Sequence, residues 1–318
     1  MPTKKVVIVT PAAPGSRSGN RNTATRWARI LRRLGHDVDI TTEWRGEGAD
    51  IMIALHARRS HASVQAFHDD APDKPLILAL TGTDLYRDIR TSMQAQHSLD
   101  LATRFVVLQE VGPEELTPAQ RALARVIYQS EVARVPHRPP QRTFRVCVLG
   151  HLREEKDPFR AGLALRHVPA DLRFELIQAG KPMSPEMEAE ARTLMRTESR
   201  YRWIGEVPHW KALRLLAGSH VMVISSRMEG GAHVVSEAIA HGVPVIASDI
   251  AGNRGMLGAD YPAYYPLEDE YALARLLLRA YYEPAFLARL ASAVQARRPL
   301  VAPEREVEAW QRLLAELS

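Results

Sequence analysis

The chain has 318 residues, 46% apolar and 25% charged, which is typical of a globular protein long enough for two domains of about 150 residues. Its net charge is +5, and the surplus lies in residues 1–142, with 20 Lys/Arg against 15 Asp/Glu, while the remainder holds 22 of each. The basic residues are dispersed and lack the interleaved aromatics of a nucleic-acid surface. We therefore expect no nucleic-acid partner and a small anionic ligand in the first half.

The chain has no apolar run near the roughly 20 residues of a membrane span, and we expect no signal peptide before the first strand. We expect no membrane span and a cytoplasmic location. The one cysteine, Cys147, lies inside an apolar strand. A buried inert thiol is favoured over a nucleophile.

The first half alternates short apolar runs with helical stretches. This alternation predicts a doubly wound parallel sheet. Strands are expected at residues 4–10, 36–41, 50–55, 75–80, 104–108 and 125–128.

A glycine-bearing loop follows the first predicted strand and precedes a helix expected at residues 23–34. Gly15 and Gly19 allow a ligand to approach the backbone, and Arg17, Asn20 and Arg21 supply donors. The spacing is not that of the dinucleotide fingerprint. An ordinary strand-to-helix turn would also explain the glycines, and an anion site is the alternative that we favour.

Two further loops are expected at the same edge of this sheet. His56 follows one strand and is either a structural residue or part of an acceptor site. The candidate anion-binding residues after these two strands are Arg58, Thr81, Gly82, Thr83 and Arg87.

A proline-rich segment divides the chain. Residues 133–143 are expected to link a first domain, residues 1–132, to a second domain, residues 144–298, with a C-terminal helix at residues 299–318. Strands of the second domain are expected at residues 144–149, 172–177, 201–206, 220–224 and 244–248. Helices are expected at residues 268–282, 284–297 and 303–317.

The most informative stretch is residues 225–249. A Gly230-Gly231 turn precedes a helix expected from Ala232, which Gly242 ends as a left-handed cap. Free N–H groups at the start of this helix suit a phosphate. Glu229 and Glu237 are either solvated acids or ligands for a sugar and a diol, and the flanking strand, turn and helix favour ligands.

This stretch, with Glu229-Gly230-Gly231 followed by Ser236-Glu237-Ala238, resembles the donor-binding motif of retaining GT-B glycosyltransferases of family 4. The resemblance implies two Rossmann-like domains facing across a cleft, with Glu237 on the nucleotide ribose and Glu229 on the transferred sugar. It implies that Lys156 clamps the donor diphosphate. Arg153 is expected to replace the usual arginine, whose position His151 occupies. Cations there would stabilise the leaving group.

The residues and the resemblance together give the expected site residues. The catalytic residues expected are Lys156, Arg153, Glu229 and His56. The donor-binding residues expected are Gly15, Gly19, Asn20, Gly180, Trp203, Ile204, Gly230, Gly231, Ala232, His233, Val234 and Glu237. The acceptor-binding residues expected are Arg17, Arg21, Arg58, Thr81, Gly82, Thr83 and Arg87.

Several longer stretches, among them residues 80–89 and 149–158, resemble the selenosugar synthases of bacterial selenoneine biosynthesis. Thr81 stands where family 4 enzymes usually have a histidine. The resemblance implies transfer of N-acetylglucosamine or glucose from a UDP-sugar to selenophosphate, with release of UDP and phosphate. No cofactor or metal is expected. It also implies functional links to a selenophosphate-producing enzyme and a selenoneine synthase.

Three alternatives remain open from the sequence. A family 4 enzyme with a UDP-sugar donor and an ordinary hydroxyl acceptor is the main one. A sugar-nucleotide epimerase on the same fold would release UDP without an acceptor. A non-catalytic binding module would bind nucleic acid with a steep salt dependence.

Overall fold

The structure is a computed structural model that describes residues 2–16 and 18–317. The chain forms two compact units. The first comprises Met1–Gln129, Glu229–Gly231 and Pro303–Ser318, and the second comprises Ser130–Met228 and Ala232–Ala302.

The first unit contains a six-stranded parallel sheet. Its strands are β1 (Lys5–Val9), β2 (Asp37–Thr41), β3 (Ile51–Leu55), β4 (Leu76–Leu80), β5 (Arg104–Val107) and β6 (Ala124–Val126), in the order β2-β1-β3-β4-β5-β6. The central strands β3 and β4 are buried along their whole length, as expected of strands covered by helices on both faces. The six strands expected from the sequence are confirmed.

Helices flank this sheet, and the first begins earlier than the sequence predicts. Ser18 caps it by accepting the Arg21 N–H, so Gly19 and Asn20 belong to its first turn and not to the preceding loop. The helices are α1 (Gly19–Arg33), α2 (His61–Asp70), α3 (Ile89–Thr91), α4 (Met93–Leu101) and α5 (Pro118–Leu123), with a π-helical turn at Asp84–Asp88 and a 3₁₀ turn at Gly112–Glu115.

The last helix of the chain, α13 (Pro303–Ala315), also belongs to the first unit and packs on α1. Trp310 meets Trp27 edge to face at a centroid distance of 4.8 Å. The Trp27 Nε1–H donates to Glu306 Oε1 at 3.1 Å. This hydrogen bond gives the buried indole N–H and the buried carboxylate a polar partner.

The second unit contains another six-stranded parallel sheet. Its strands are β7 (Phe144–Leu149), β8 (Phe174–Ala179), β9 (Tyr201–Trp203), β10 (Val221–Ile224), β11 (Val245–Ser248) and β12 (Tyr264–Tyr265), in the order β12-β11-β10-β7-β8-β9. The sequence does not predict β12, which has two residues, and it places β8 two residues too early. The doubly wound architecture predicted for this half is confirmed.

The helices of the second unit are α6 (Arg160–Ala164), α7 (Pro185–Thr197), α8 (His209–Ala217), α9 (His233–His241), α10 (Ala251–Leu257), α11 (Glu270–Tyr282) and α12 (Pro284–Arg297), with 3₁₀ turns at Glu154–Lys156, Leu165–His167 and Arg298–Val301. Gly242 ends α9 with φ of 69°, so the left-handed cap expected there is confirmed. None of the helices in the described part of the chain has the length and apolar character needed to cross a membrane.

Candidate functional site

Each sheet has one position where the strand order reverses. In the second unit β10 pairs with β7, and in the first unit β3 pairs with β1. Ligands of open α/β sheets bind outside the carboxyl ends of the strands at such positions. The residues that follow β7 and β10, and those that follow β1 and β3, are therefore the candidates for two binding sites.

A pocket of the second unit lies at its reversal point. It is lined at the ends of β7 and β10 and by the first turn of α9, including Gly150, His151, Lys156, Ser225 and Val234. Two residues of the predicted donor site, Lys156 and Val234, are thereby brought together.

Lys156 lies in the 3₁₀ turn Glu154–Lys156, and this turn is tied to the end of β10. The Ser225 hydroxyl lies 3.1 Å from the Lys156 carbonyl and 2.7 Å from the Asp157 carbonyl, close enough to donate to either. Asp157 adopts φ of 41°, which reverses the chain directly after Lys156. These contacts fix the backbone that carries the Lys156 side chain.

The expected substitute for the family arginine does not line the pocket. Of the described residues, His151 is among the lining residues, whereas Arg153 is exposed at the start of the 3₁₀ turn. His151 Nδ1 accepts the Lys181 N–H at 3.3 Å, which leaves Nε2 as the nitrogen that carries the proton in the neutral ring.

Gly180 packs directly against the turn after β7. A Cβ atom at Gly180 would lie 1.8 Å from the Gly150 carbonyl oxygen, so only glycine is compatible with this approach. The Trp203 Nε1–H donates to the Gly180 carbonyl at 2.9 Å, and Ile204 beside it is 41% exposed. Three predicted donor-binding residues thus lie together at the ends of β8 and β9.

The two glycines before α9 belong to the first unit together with Glu229. A Cβ at Gly230 would lie 2.4 Å from the Thr81 carbonyl oxygen, and one at Gly231 would lie 2.5 Å from Leu108 Cβ. The sequence attributes these glycines to a tight turn. The short distances to Thr81 and Leu108 show that close packing also requires glycine at both positions.

Neither acid of the motif is a solvated residue. Glu229 is 7% exposed and Glu237 is 4% exposed, so the alternative that they are surface acids is wrong. Glu237 Oε1 accepts from His209 Nε2 at 2.7 Å and lies 3.7 Å from His233 Nε2. The hydrogen bond to Glu237 raises the pKa of His209.

In the first unit, His56 ends β3 with φ of 78°, a left-handed conformation that few residues other than glycine adopt. Its Nδ1 accepts the Arg59 N–H at 3.4 Å, and its Nε2 lies 3.2 Å from Thr83 Oγ1. Burial lowers the pKa of His56. The ring is therefore neutral, with its proton on Nε2 directed at Thr83.

Asp84 organises the two loops around His56. Its Oδ1 accepts the N–H groups of Thr81 and Gly82 at 3.0 and 2.9 Å, and its Oδ2 accepts the Ala57 N–H at 3.1 Å. The residue is fully buried. The three N–H donors compensate the desolvation of this buried carboxylate. The same hydrogen bonds fix the loops after β3 and β4 relative to each other.

Asp88 holds two arginine side chains, Arg58 and Arg87, in position. Its two oxygens contact Arg58 Nε at 2.9 Å and Arg87 Nε at 3.0 Å, while its own side chain is only 5% exposed. Burial alone would raise the pKa of Asp88, but the hydrogen bonds from Arg87 and Arg58 outweigh it and hold the pKa below its ordinary value. The side chains of Arg58 and Arg87 remain 40% and 46% exposed, so the ion pairs with Asp88 hold them without burying them.

The residues predicted at the end of β1 occupy the first turn of α1 and the loop before it. Gly15 has φ of 78°, a left-handed conformation that favours glycine at this position. Gly19 lies at the start of α1. Arg21 Nη1 is buried and has no hydrogen-bond partner among the described residues. Arg17 lies outside the described residues.

Asp84, Asp88, His209 and Glu131 are functional candidates that the sequence alone does not single out. The Thr81-Gly82-Thr83-Asp84 turn could have indicated the role of Asp84, because aspartate commonly accepts backbone N–H groups in turns. Asp88 follows Asp84 by one helical turn, which is a weaker indication. Glu131 and His209 meet His233 and Glu237 only through the tertiary fold, and no local pattern predicts them.

Cys147 lies inside β7 and is fully buried. Burial raises the pKa of its thiol to about 12. The thiol is therefore not ionised near neutral pH, as expected for an inert core cysteine.

Comparisons with known proteins agree with this geometry. The family Glycosyl transferases group 1 matches residues 129–296, more than half of the 318 residues. The chain belongs to this family. A search of curated proteins found no match.

Solved structures similar to this glycosyltransferase share its architecture over nearly the whole chain. HepE of Anabaena, solved in complex with UDP and glucose, has a TM-score of 0.76 and 13% identity, covering 98% of each chain. Sucrose-phosphate synthase of Thermosynechococcus elongatus has a TM-score of 0.77 and 16% identity over 99% of each chain. A glycosyltransferase of Rickettsia africae has a TM-score of 0.76 and 12% identity over 99% and 98%. The two parallel-sheet domains of the GT-B fold are thereby confirmed.

Proposed function

We propose that this glycosyltransferase transfers N-acetylglucosamine or glucose from a UDP-sugar to the selenium of selenophosphate, without a cofactor or metal. The observation that carries the proposal is the pair Arg58 and Arg87 on the buried carboxylate of Asp88, beside a neutral His56. This arrangement suits an acceptor that is a small anion with its own nucleophile.

The donor half of the proposal rests on the pocket of the second unit. HepE, which shares the fold, was solved with UDP-glucose and with UDP and glucose. Lys156 lines the pocket at the reversal point of the sheet, where a cation would stabilise the departing diphosphate. The first turn of α9 presents backbone N–H groups near the same place, and Glu237 would accept the hydroxyls of the ribose.

The acceptor half rests on the first unit. Arg58 and Arg87 have half-exposed side chains, and guanidinium groups bind phosphate oxygens well. A hydroxyl acceptor must lose its proton as it attacks, and His56 Nδ1 already accepts the Arg59 N–H. Selenophosphate needs no such base, because its selenium is an anionic nucleophile. Arg21, with a buried Nη1 that lacks a hydrogen-bond partner among the described residues, is a further candidate for the anion.

The proposed reaction has two steps. Selenium attacks the anomeric carbon of the UDP-sugar, a carbon–selenium bond forms, and UDP leaves with the bonding electrons of the carbon–oxygen bond. Water then cleaves the phosphorus–selenium bond, which releases phosphate and leaves the selenosugar as a selenol. The enzyme contributes positioning and stabilisation of the departing UDP.

The chemistry of both substrates implies functional partners. Selenophosphate must be supplied by an enzyme that phosphorylates reduced selenium, and the selenosugar would be consumed by an enzyme of selenoneine synthesis. These links are part of the proposal.

The test is mass spectrometry of reactions that contain UDP-N-acetylglucosamine or UDP-glucose with selenophosphate, thiophosphate or a panel of sugar alcohols. We expect a selenium-containing hexose or N-acetylhexosamine only with selenophosphate, and UDP in equal amount. UDP formation that depends on a hydroxyl acceptor would favour the ordinary glycosyltransferase. UDP formation without any acceptor would favour an epimerase.

A further inference from the structure

The second unit contains a cluster of four side chains, Glu131, His209, His233 and Glu237. One oxygen or nitrogen from each of Glu131, His233 and Glu237 lies within 4.8 Å of the others. His209 Nε2 lies 2.7 Å from Glu237 Oε1. These are two carboxylates and two imidazoles, all of them ligands that transition-metal dications accept.

The spacing of the three central atoms suits one metal ion. His233 Nε2 lies 3.2 Å from Glu131 Oε2 and 3.7 Å from Glu237 Oε1. Ligand atoms bound to zinc at 2.0–2.1 Å in a tetrahedron lie roughly 3.3 Å apart. His233 and Glu237 are four residues apart on α9, so both side chains project from the same face of the helix.

The burial of the cluster also favours a cation. The side chains of Glu131 and Glu237 are only 5% and 6% exposed. Two buried carboxylates are costly unless positive charge lies beside them. Besides the imidazoles, Arg134 lies 3.8 Å from Glu131, and its side chain is 67% exposed. A dication between the carboxylates would add positive charge next to both.

The cluster is accessible from solvent through its histidines. The His209 side chain is 56% exposed and that of His233 is 29% exposed. A metal ion therefore has a path to the carboxylates without unfolding of the unit. The mixture of nitrogen and oxygen ligands favours zinc, cobalt or nickel over magnesium, which prefers oxygen alone.

We propose that Glu131, His233 and Glu237 bind one transition-metal dication in the nucleotide-free protein, with His209 hydrogen-bonded to the Glu237 carboxylate. The metal is an inhibitor and not a cofactor, because it engages the Glu237 carboxylate that the ribose would need. The competition with nucleotide rests on the function proposed above, whereas metal binding itself does not.

The first experiment measures metal binding directly on the full chain after treatment with chelator. Titration with Co²⁺ is followed by visible absorption, and Zn²⁺ by calorimetry. We expect one equivalent bound, with an affinity that falls at least about tenfold in His233→Gln and in Glu131→Gln. His167→Gln, a histidine of the same unit stacked on Tyr271 away from the cluster, should bind like the wild type. Absence of binding, or equal affinity in His233→Gln and wild type, would overturn the proposal.

The second experiment repeats the Co²⁺ titration with saturating UDP. We expect the apparent affinity for Co²⁺ to fall about tenfold or more as UDP occupies Glu237. If the metal binds through His233 but bound UDP leaves its affinity unchanged, the competition is wrong. If UDP does not bind at all, the donor assignment fails while the metal site stands, so the two failures are distinguishable.

Discussion

The Arg58 guanidinium lies 2.9 Å from a carboxylate oxygen of Asp88, a residue whose side chain is 5% exposed. A buried aspartate that holds half-exposed arginines costs desolvation, and the ion pairs with Arg58 and Arg87 offset that cost. The arrangement orients two cations before any ligand arrives. Preorganised donors of this kind improve anion binding because less side-chain freedom is lost on association.

Asp88→Asn should weaken acceptor binding selectively. Loss of the carboxylate charge frees Arg58 and Arg87 to reorient, so we expect KM for selenophosphate to rise on the order of tenfold, the equivalent of one hydrogen bond to a charged group. KM for the UDP-sugar should change little. Steady-state kinetics with each substrate varied in turn measures both values.

The matched control is Asp249→Asn, which removes the partner of Arg254 in the second unit. That pair is more exposed, and its loss should leave both KM values unchanged. An unchanged KM for selenophosphate in Asp88→Asn, or an equal rise in both KM values, would contradict the positioning role.

Lys156→Ala should impair use of the donor. Lys156 lines the pocket at the reversal point of the second sheet, where the diphosphate is proposed to lie. We expect kcat/KM for the UDP-sugar to fall on the order of a hundredfold, as when one stabilising donor is removed from an active site. Lys211→Ala, an exposed lysine on α8, is the control and should retain full turnover. Full turnover by Lys156→Ala would remove this residue from the donor site.

Gly180→Ala should destabilise the second unit. The added Cβ would meet the Gly150 carbonyl at 1.8 Å, a backbone atom that cannot rotate away, so we expect a loss of about 1–3 kcal/mol in the free energy of unfolding. Gly19→Ala is the matched control. Its Cβ would have no described atom within 4 Å, and its stability should match the wild type within about 1 kcal/mol. Denaturant unfolding compares the two, and equal stability would show that the turn after β7 can move.

The protein should lose stability in mild acid through His220. Burial, with the charges of His137 and Arg145, lowers the pKa of His220 below 6.5 in the folded state. The unfolded state therefore binds a proton that the folded state resists, and the free energy of unfolding decreases as pH falls below about 6.5.

His220→Asn tests this assignment, because an amide oxygen can accept the Arg145 N–H that His220 Nδ1 accepts at 3.1 Å and does not titrate. The variant should lose less stability than the wild type between pH 7 and about pH 5. Identical pH dependence in the two proteins would show that other groups account for the loss.

The sequence predicts the sheets well because their strands are buried on both faces. Runs such as Ile51–Leu55 and Leu76–Leu80 are apolar throughout, and a short apolar run between helical stretches indicates a buried parallel strand. The strand β12 escapes prediction because two residues form no pattern. The sequence places the start of α1 too late because the helix begins at Gly19, directly after the Ser18 cap, and glycine has a low helix propensity.

The candidate sites are less predictable than the fold. The glycines and acids of residues 229–237 form a local motif that a sequence displays directly. Asp88 reveals its role only when the fold brings Arg58 within 2.9 Å, 30 residues away in the chain. Glu131 meets His233 across 102 residues. Contacts of this kind depend on tertiary packing, and no periodicity in one sequence encodes them.

Selenium of selenophosphate is proposed to replace UDP on the sugar. The most direct measurement is a ³¹P NMR time course of the enzyme with a UDP-sugar and selenophosphate. We expect the selenophosphate signal to disappear at the rate at which UDP forms, with inorganic phosphate increasing to the same extent. Formation of UDP while selenophosphate stays intact would contradict the claim.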